Sequence, residues 1–287
     1  MKYIVSFGFV VCFLLYLCSC KNVKNAEFPF LIDYKRDTMP YFEVPLCDSD
    51  GNRFSDETVC LGIDTGAPKT FLNKNGIEYL FGSLDDYHSW CKNNNYDIEN
   101  PHIFVTLQNI CLDFGAYTFS PIFLCDENEE SEIYDGIIGY DILKQVQSII
   151  FDFKRNVLVI GGKKIKKNKL PLKMVSFETE KIQGDYFFIP VEINGKIYDA
   201  MLDTGARSKG IPAIAVMGNF DFSEEVSVKI GKVAYENVSA LEDCGFDDKN
   251  LETYYKDYFV NTIILGNAFF KNHRIQLDFE NMTFAMD

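Results

Sequence analysis

The chain has 287 residues, 47% of them hydrophobic, and carries a formal net charge of −14 at pH 7. This acidic balance argues against a nucleic-acid-binding protein, because the phosphates would be repelled. The length suffices for one or two hydrophobic cores, and 26 Phe with 16 Tyr favour strands over helices.

The first residues resemble an export signal and not part of the fold. Lys2 precedes an apolar run at residues 4–17 that is too short to cross a membrane comfortably, and small residues follow. We therefore predict a signal peptide at residues 1–19. The sequence Leu-Cys-Ser-Cys at residues 17–20 resembles a bacterial lipobox, which implies that Cys20 is diacylated after cleavage. A plain secretory signal or an uncleaved anchor is the alternative.

The lipobox resemblance also implies a location. Lys21 follows Cys20, and this neighbour implies the outer membrane of a bacterial cell envelope, since retention in the inner membrane usually involves Asp there. Residues 20–38 are then expected to form a tether. The protein would contact the membrane through a lipid anchor and not through a transmembrane helix.

The tripeptide Asp-Thr-Gly occurs twice, at residues 64–66 and 203–205, each time after an apolar run and before an Ala. Strands are predicted upstream of both copies, at residues 41–46 and 186–191. A single copy is explained by a turn whose Asp accepts backbone N–H groups. Two copies in matching surroundings indicate a pair of carboxylates that work together.

Further blocks follow both tripeptides in the same order. They are a hairpin (112–122 and 228–238), an apolar-apolar-Gly segment with a short helix (137–143 and 264–270), and a strand containing Asp-Phe (149–153 and 275–279). A shared order of several blocks predicts a duplicated lobe.

This order of blocks resembles that of the aspartic proteases of the pepsin and retropepsin clan, over nearly the whole chain beyond about residue 39. The resemblance implies an all-β fold with two duplicated lobes and a cleft between them, closest to a fused pair of retropepsin subunits. It implies that Asp64 and Asp203 are catalytic, that the substrate is a polypeptide, and that neither metal nor cofactor is needed. Because both lobes lie in one chain, a monomer is expected.

The same resemblance implies three kinds of supporting residue. Two Thr would hydrogen-bond across the lobes beneath the carboxyls, two Gly would let the Asp loops turn, and two further Gly would leave room for those loops. These residues are, in that order, Thr65, Thr204, Gly66, Gly205, Gly139 and Gly266.

The chemistry of a carboxyl pair fits peptide hydrolysis. Two carboxyls within hydrogen-bond reach cannot both ionise easily, so they share a proton and offer one general base and one general acid. Aspartic proteases are the established example of this behaviour, and they attack with water and not through a covalent intermediate.

Some positions depart from the family pattern. Ala67 and Ala206 stand where pepsin-like enzymes usually have a Ser or Thr whose hydroxyl donates to the carboxylate. Losing that donor should raise the lower pKa of the pair and so predicts a mildly acidic activity optimum. Pro68 and Arg207 are unusual next neighbours. Residues 77–100 have no hairpin pattern typical of a flap and are expected to form a loop.

The chain divides into lobes at a basic segment. We predict an N-terminal lobe at residues 39–161, a basic linker at 162–184 and a C-terminal lobe at 185–287. The lysines of the linker are explained either by a solvated connector, which is the simpler interpretation, or by contact with an anionic surface.

The cysteines and histidines carry little functional signal. Beyond the signal and Cys20, six cysteines remain, an even number that permits disulfides outside the cytoplasm. Cys47 with Cys60 is the most plausible pair, and otherwise these residues are expected to be small and buried. The three histidines have no metal-ligand spacing.

Three functions are compatible with these observations. The first is an aspartic endopeptidase. The second is a catalytically silent lipoprotein with the protease fold that binds peptide without cutting it. The third is a hydrolase that uses the same pair on another bond, such as a crosslink of the cell envelope.

Overall fold

The computed structural model describes residues 26–96, 105–114, 118–128, 131–178, 183–217, 220, 222, 225–242 and 262–287. The predicted signal peptide and Cys20 lie outside these residues. Strands dominate, and none of the helices in the described ranges is long and apolar enough to cross a membrane.

The strands and helices of the first half are β1 (Ala26–Pro29), β2 (Tyr41–Val44), β3 (Leu46–Asp48), β4 (Val59–Ile63), β5 (Phe71–Asn73), α1 (Lys74–Phe81), α2 (Leu84–Asn93), β6 (Val105–Leu107), β7 (Ile110–Asp113), β8 (Thr118–Phe119), β9 (Phe123–Asp126), β10 (Gly136–Ile138), α3 (Tyr140–Leu143), β11 (Ser148–Asp152) and β12 (Val157–Ile160). One sheet has the order β2-β4-β10-β5-β9-β6, and a smaller sheet has the order β3-β7-β8.

The second half contains β13 (Lys169–Pro171), β14 (Lys173–Glu178), β15 (Gln183–Ile193), β16 (Lys196–Leu202), β17 (Ala213–Met217), β18 (Glu225–Ile230), β19 (Val233–Glu242), β20 (Thr262–Leu265), a short 3₁₀ helix (Asn267–Phe270), β21 (Arg274–Asp278) and β22 (Thr283–Met286). Its main sheet has the order β14-β15-β16-β20-β17-β19-β18.

The two lobes repeat one arrangement around each Asp. In the first lobe, β4 pairs in parallel with β10, so that Ile63 lies beside Ile138. In the second lobe, β16 pairs in parallel with β20, so that Leu202 lies beside Leu265. Each Asp-Thr-Gly loop therefore leaves the sheet next to the Gly-containing loop of its own lobe.

A third sheet joins the lobes, with the order β1-β12-β11-β21-β22-β13. The duplicated Asp-Phe strands, β11 and β21, pair antiparallel at its centre, with Ile150 opposite Gln276. Phe151 and Leu277 on these strands are fully buried. Equivalent strands from the two lobes thus meet in one sheet, as expected for a duplicated chain.

The prediction of a tether at residues 20–38 is wrong for the part that begins at residue 26. Residues 26–29 form β1 and pair with β12 in the sheet between the lobes. Phe30 is 2% exposed and packs edge-on against Phe153, with 5.6 Å between ring centroids. Burying such a ring stabilises the fold by about 1.5–3 kcal/mol. The paired strand and the buried ring make this segment part of the folded body.

The predicted linker also contains ordered structure. Its residues 169–171 and 173–178 form β13 and β14, and the side chain of Ile165 is only 3% exposed. The many lysines led to the prediction of a linker. Most of them are exposed, so their composition reflects the solvent-facing side of these elements and not a lack of structure. The boundaries of the two lobes remain predictions.

The expected loop at residues 77–100 is largely helical where it is described. The helices α1 and α2 start at capping residues, since the Asn73 side chain accepts a hydrogen bond from Gly76 N and the Ser83 side chain accepts one from Asp86 N. Tyr87 and Cys91, four residues apart, face the core. This short apolar stripe is the signal that the sequence interpretation missed.

The predicted Cys47–Cys60 disulfide is wrong. All five cysteines in the described ranges are free. Cys47 lies on β3 opposite Cys111, and Cys60 lies on β4 opposite Glu43. The two residues therefore belong to different sheets.

Candidate active site

Both Asp loops are held to their lobes in the same way. Asp64 follows β4 and donates its backbone N–H to Ile138 O at 3.0 Å, and Asp203 follows β16 and donates to Leu265 O at 3.1 Å. The matching bonds direct both side chains towards the junction of the lobes, where both residues are half-buried.

The two threonines form hydrogen bonds across that junction. Thr65 N donates to Thr204 Oγ1 at 3.0 Å, and Thr204 N donates to Thr65 Oγ1 at 2.9 Å. Each hydroxyl also donates to the opposite lobe, Thr65 Oγ1 to Leu202 O at 3.1 Å and Thr204 Oγ1 to Ile63 O at 2.6 Å. Both threonines are 1% exposed. Four buried hydrogen bonds thus fix one Asp loop against the other.

Gly66 and Gly205 lie directly against the opposite carboxyl. A Cβ atom on Gly66 would lie 2.5 Å from Asp203 Cγ, and a Cβ atom on Gly205 would lie 2.5 Å from Asp64 Cγ. Real Cβ atoms do not approach other atoms so closely, so any side chain here would displace a carboxyl. The close approach of the two carboxyls depends on glycine in both loops.

Gly139 and Gly266 leave room for the Asp loop of their own lobe. A Cβ atom on Gly139 would lie 2.7 Å from Ala67 O, and one on Gly266 would collide with Ala206 O. The residues that follow them bond the same carbonyls, since Tyr140 N donates to Ala67 O at 2.9 Å and Asn267 N donates to Ala206 O at 3.2 Å.

The two carboxyls are coupled. Asp64 and Asp203 share a side-chain hydrogen bond, and burial is the main reason that the pKa of each lies above its ordinary value. The negative charge of Asp64 raises the pKa of Asp203 further, to well above the usual range. Backbone amides oppose this rise, since Gly66 N donates to Asp64 Oδ1 at 2.6 Å and Ala206 N donates to Asp203 Oδ1 at 2.9 Å. The pair therefore retains a proton at pH values where an isolated Asp has lost it.

Tyr140 is a residue that the sequence interpretation missed. It is 1% exposed and packs on Phe187, with 4.5 Å between ring centroids. Its hydroxyl lies beside Thr65 and near both carboxyls, and it has no hydrogen-bond partner of normal geometry among the described residues. Burial raises the pKa of this hydroxyl, so it is a neutral group under the dyad. Its position directly after Gly139 was the available signal.

The segment before β2 braces the second Asp loop. Asp37 Oδ1 accepts from Lys209 N at 2.5 Å, and Asp37 O accepts from Arg207 Nη1 at 3.2 Å. Asn267 Nδ2 donates to Thr38 O at 3.4 Å and to Thr204 O at 3.2 Å. Arg207, which had no explanation from sequence, thus holds the N-terminal segment to the second lobe.

Pro68, the other unusual neighbour, packs against the β14–β15 hairpin. A Cβ atom on Gly184 would collide with Pro68 Cβ. In the part of the chain that is described, no three His, Cys, Asp or Glu side chains are grouped so that they could hold a metal ion.

Comparisons with known proteins reveal likeness in structure alone. No protein-family model matches the chain, and no curated protein matches it in sequence. Among solved structures, an aspartic proteinase from Irpex lacteus matches with a TM-score of 0.50 and 11% identity, over 92% of this chain and 97% of that chain. Basic 7S globulin from soybean matches with a TM-score of 0.49 and 9% identity, over 93% of this chain and 95% of that chain.

The likeness to the proteinase shows the fold. Together with the two sets of sheets, it confirms the predicted all-β, two-lobed pepsin-like architecture with a cleft between the lobes. At 11% identity, the likeness says nothing about activity. Any argument for activity has to come from the geometry of the site.

Proposed function

We propose that this protein is an aspartic-type endopeptidase that hydrolyses peptide bonds with a water molecule activated between Asp64 and Asp203. The observation that carries the proposal is the hydrogen-bonded carboxyl pair with raised pKa values, held between the lobes by the buried threonine bonds. Such coupling is what a shared proton requires.

The reaction follows from one proton on two carboxyls. The ionised carboxyl takes a proton from water while the water oxygen attacks the carbonyl carbon of the peptide bond, and the protonated carboxyl donates to the carbonyl oxygen. The carboxyl that took the proton from water then donates it to the leaving nitrogen, while the other carboxylate takes a proton from a hydroxyl of the tetrahedral intermediate. The C–N bond breaks, the carbonyl re-forms, and the pair again holds one proton. Because the two titrations belong to the pair, either Asp can begin as the base.

The substrate expected for this cleft is an extended polypeptide that crosses between the lobes. The carboxyls would flank the bond to be cut. The backbone amides that donate to Asp64 and Asp203 keep the carboxyl oxygens oriented before substrate arrives. Such preorganisation lowers the barrier without needing a metal or a cofactor.

A second candidate is a peptide-binding lipoprotein with no catalytic turnover. One observation favours it. The helices α1 and α2 occupy much of residues 77–100, the stretch compared with a hairpin flap. If helices stand in place of a flap, water would be excluded less completely from the bound peptide. Substitution of the dyad separates the two candidates, since it would stop an enzyme and leave peptide binding in place.

The cellular setting is part of the proposal. We infer a signal peptide at residues 1–19, diacylation of Cys20 and attachment to the outer membrane of a bacterial cell envelope, with the folded body as a monomer. The Leu-Cys-Ser-Cys sequence with Lys21 supports this setting. Mass spectrometry of the N-terminal peptide tests it, since a diacylglycerol adduct on Cys20 is expected and an unmodified Met1 terminus would contradict it.

Digestion of a diverse peptide mixture tests the activity. The purified protein is incubated with the mixture from about pH 3 to about pH 7, and the products are identified by mass spectrometry with Asp203→Asn as the control. We expect cuts made only by the unchanged protein, with an optimum in the mildly acidic range. A maximum below about pH 3 would contradict the role assigned to the missing hydroxyl donors, and no cuts at any pH would favour the binding protein.

A further inference from the structure

The described fold begins close to the proposed lipid anchor. Ala26, the first residue of β1, lies opposite Ile160, the last residue of β12. Residues 21–25 are all that separates Ala26 from Cys20. Even fully extended, this length reaches only about 20 Å. A lipid on Cys20 would therefore hold the Ala26 end of the fold near the membrane surface.

A basic segment starts beside Ala26 and crosses the sheet between the lobes to β13 at its other edge. Directly after Ile160 the chain enters residues 161–169, which are rich in lysine. Ile165 is buried in their middle, and its N–H donates to Gln276 Oε1 at 2.7 Å. The buried side chain and the hydrogen bond of Ile165 hold the backbone of this segment in place, while the lysines on either side are exposed. We call four of them the basic face: Lys163, Lys166, Lys167 and Lys169.

The lysines of the basic face are exposed to solvent, and the charge of Lys167 acts on the Asp287 carboxylate without forming an ion pair with it. Within the described ranges, none of its four lysines forms an ion pair. The carboxylates around it are already taken by other cations. These pairs are Asp278 with Lys164 at 2.8 Å, Glu280 with Lys164 at 3.6 Å, Glu27 with Arg155 at 2.6 Å and Asp287 with Arg274 at 2.5 Å.

The charge of the whole chain makes this face distinctive. With a formal net charge of −14, most of the surface would be repelled by anionic lipid. Each lysine near an anionic membrane contributes about 1 kcal/mol of attraction.

We propose that the basic face binds anionic lipid headgroups and holds the folded body against the membrane in one orientation. The proposal rests on the lipid anchor inferred for Cys20 and is independent of peptidase activity. The lipid chains would supply attachment, and the lysines would supply orientation, because two weak membrane signals together fix a protein better than either alone.

Lysine footprinting of the intact lipidated protein tests this proposal. The protein is reconstituted in vesicles of phosphatidylcholine alone or with about 30% phosphatidylglycerol, acetylated with an amine reagent and digested for mass spectrometry. We expect the basic face to be acetylated about 3-fold more slowly in the anionic vesicles, and the protection to disappear in about 0.5 M NaCl. Lys92 and Lys196, which are exposed elsewhere, should be acetylated equally in both.

A charge-matched pair of variants sharpens the test. One variant replaces the four lysines of the basic face by Gln, and its control replaces Lys92, Lys173, Lys196 and Lys229 by Gln. The reporter is Lys154, which is exposed and whose charge acts on the Asp287 carboxylate together with that of Lys167. Protection of Lys154 by anionic lipid should be lost in the first variant and kept in the control.

The outcomes are distinguishable. Equal acetylation of the basic face in both kinds of vesicle, with Cys20 shown to be diacylated in the same sample, would overturn the proposal. If Cys20 carries no lipid, the anchor is refuted, and the footprint of the unanchored protein mixed with the same vesicles still decides whether the face binds anionic lipid. Peptide digestion by the same sample reports separately on the proposed activity.

Discussion

The alanines that follow the two Asp-Thr-Gly tripeptides leave the dyad dependent on backbone donors. Ala206 N donates to Asp203 Oδ1 at 2.9 Å, and Ala67 N also lowers the pKa of Asp64. Ala67→Ser would add a hydroxyl donor to the charged form, which lowers the pKa of the pair. We expect the acidic limb of kcat/KM to move to lower pH. An unmoved profile in a folded variant would contradict this explanation of the mild optimum.

The raised pKa values of the dyad predict a pH-dependent stability. Burial raises the pKa of Asp203 above 3.8 in the folded state, so the folded form binds a proton more tightly than the unfolded chain. The stability from this proton is present at low pH and lost as the pH rises through the raised pKa. Asn cannot ionise, so Asp203→Asn should keep it.

Thermal unfolding at several pH values measures this effect. Asp203→Asn should unfold at a Tm roughly 2–5 °C above the unchanged protein near neutral pH, and the difference should shrink towards about pH 4. The exposed Asp56→Asn is the control. A lower Tm for Asp203→Asn at neutral pH would show that ionisation of Asp203 does not destabilise the folded state.

The buried hydroxyl of Tyr140 predicts an unusual gain in stability. An unsatisfied buried hydroxyl costs about 1–3 kcal/mol, so Tyr140→Phe should raise Tm by roughly 2–4 °C. Tyr235→Phe is the matched control, because Tyr235 OH donates to Phe269 O at 2.5 Å and its loss should lower Tm. Both variants are compared by calorimetry. A fall for Tyr140→Phe would reveal a hydrogen bond to the loop beneath the dyad.

At the scale of elements, the helical pair α1–α2 depends on its caps. Ser83 Oγ accepts from Asp86 N at 3.2 Å at the start of α2. Ser83→Ala should therefore cost about 1 kcal/mol of unfolding free energy. Ser89→Ala, on the exposed side of the same helix, should be neutral or slightly stabilising. Urea unfolding of both variants checks this, and equal effects would argue against the cap.

Elements were predictable where the evidence was local and repeated. The Asp-Phe strands and the Gly-containing loops carry the same residues in both halves, and the structure has strands at Ser148–Asp152 and Arg274–Asp278. By contrast, β1 is a strand because it pairs with β12, and Phe28 and the following Phe30 pack against Phe114 and Phe153, far along the chain. Such contacts leave no periodic pattern in a segment of four residues.

The candidate site divides in the same way. Asp64, Asp203 and the adjacent Thr and Gly residues could be proposed from two matching tripeptides. The Asp37 brace could not, because it arises from one lobe meeting the other. Tyr140 had one signal, its place directly after Gly139, but its packing on Phe187 also depends on the other lobe. The residue types at these positions do not reveal which residues of the other lobe they contact.

At the scale of the whole molecule, the threonine bonds connect the lobes. Thr65→Val and Thr204→Val each remove buried hydrogen bonds across the junction, and each should cost about 1–3 kcal/mol. Because the two residues bond each other, the double variant should cost less than the sum of the singles. Chemical denaturation of all four proteins gives the coupling. Strict additivity would show that the threonines do not act together.

Hydrolysis of an internally quenched peptide library by four proteins tests the central claim most directly. The proteins are the unchanged chain, Asp64→Asn, Asp203→Asn and the double variant, each shown to be folded by its thermal transition. We predict that each single substitution lowers kcat/KM by at least about 10³-fold and that the double substitution lowers it no further, since the carboxyls act as one unit. Cleavage that persists in either single variant would contradict the assignment of Asp64 and Asp203 as the catalytic pair.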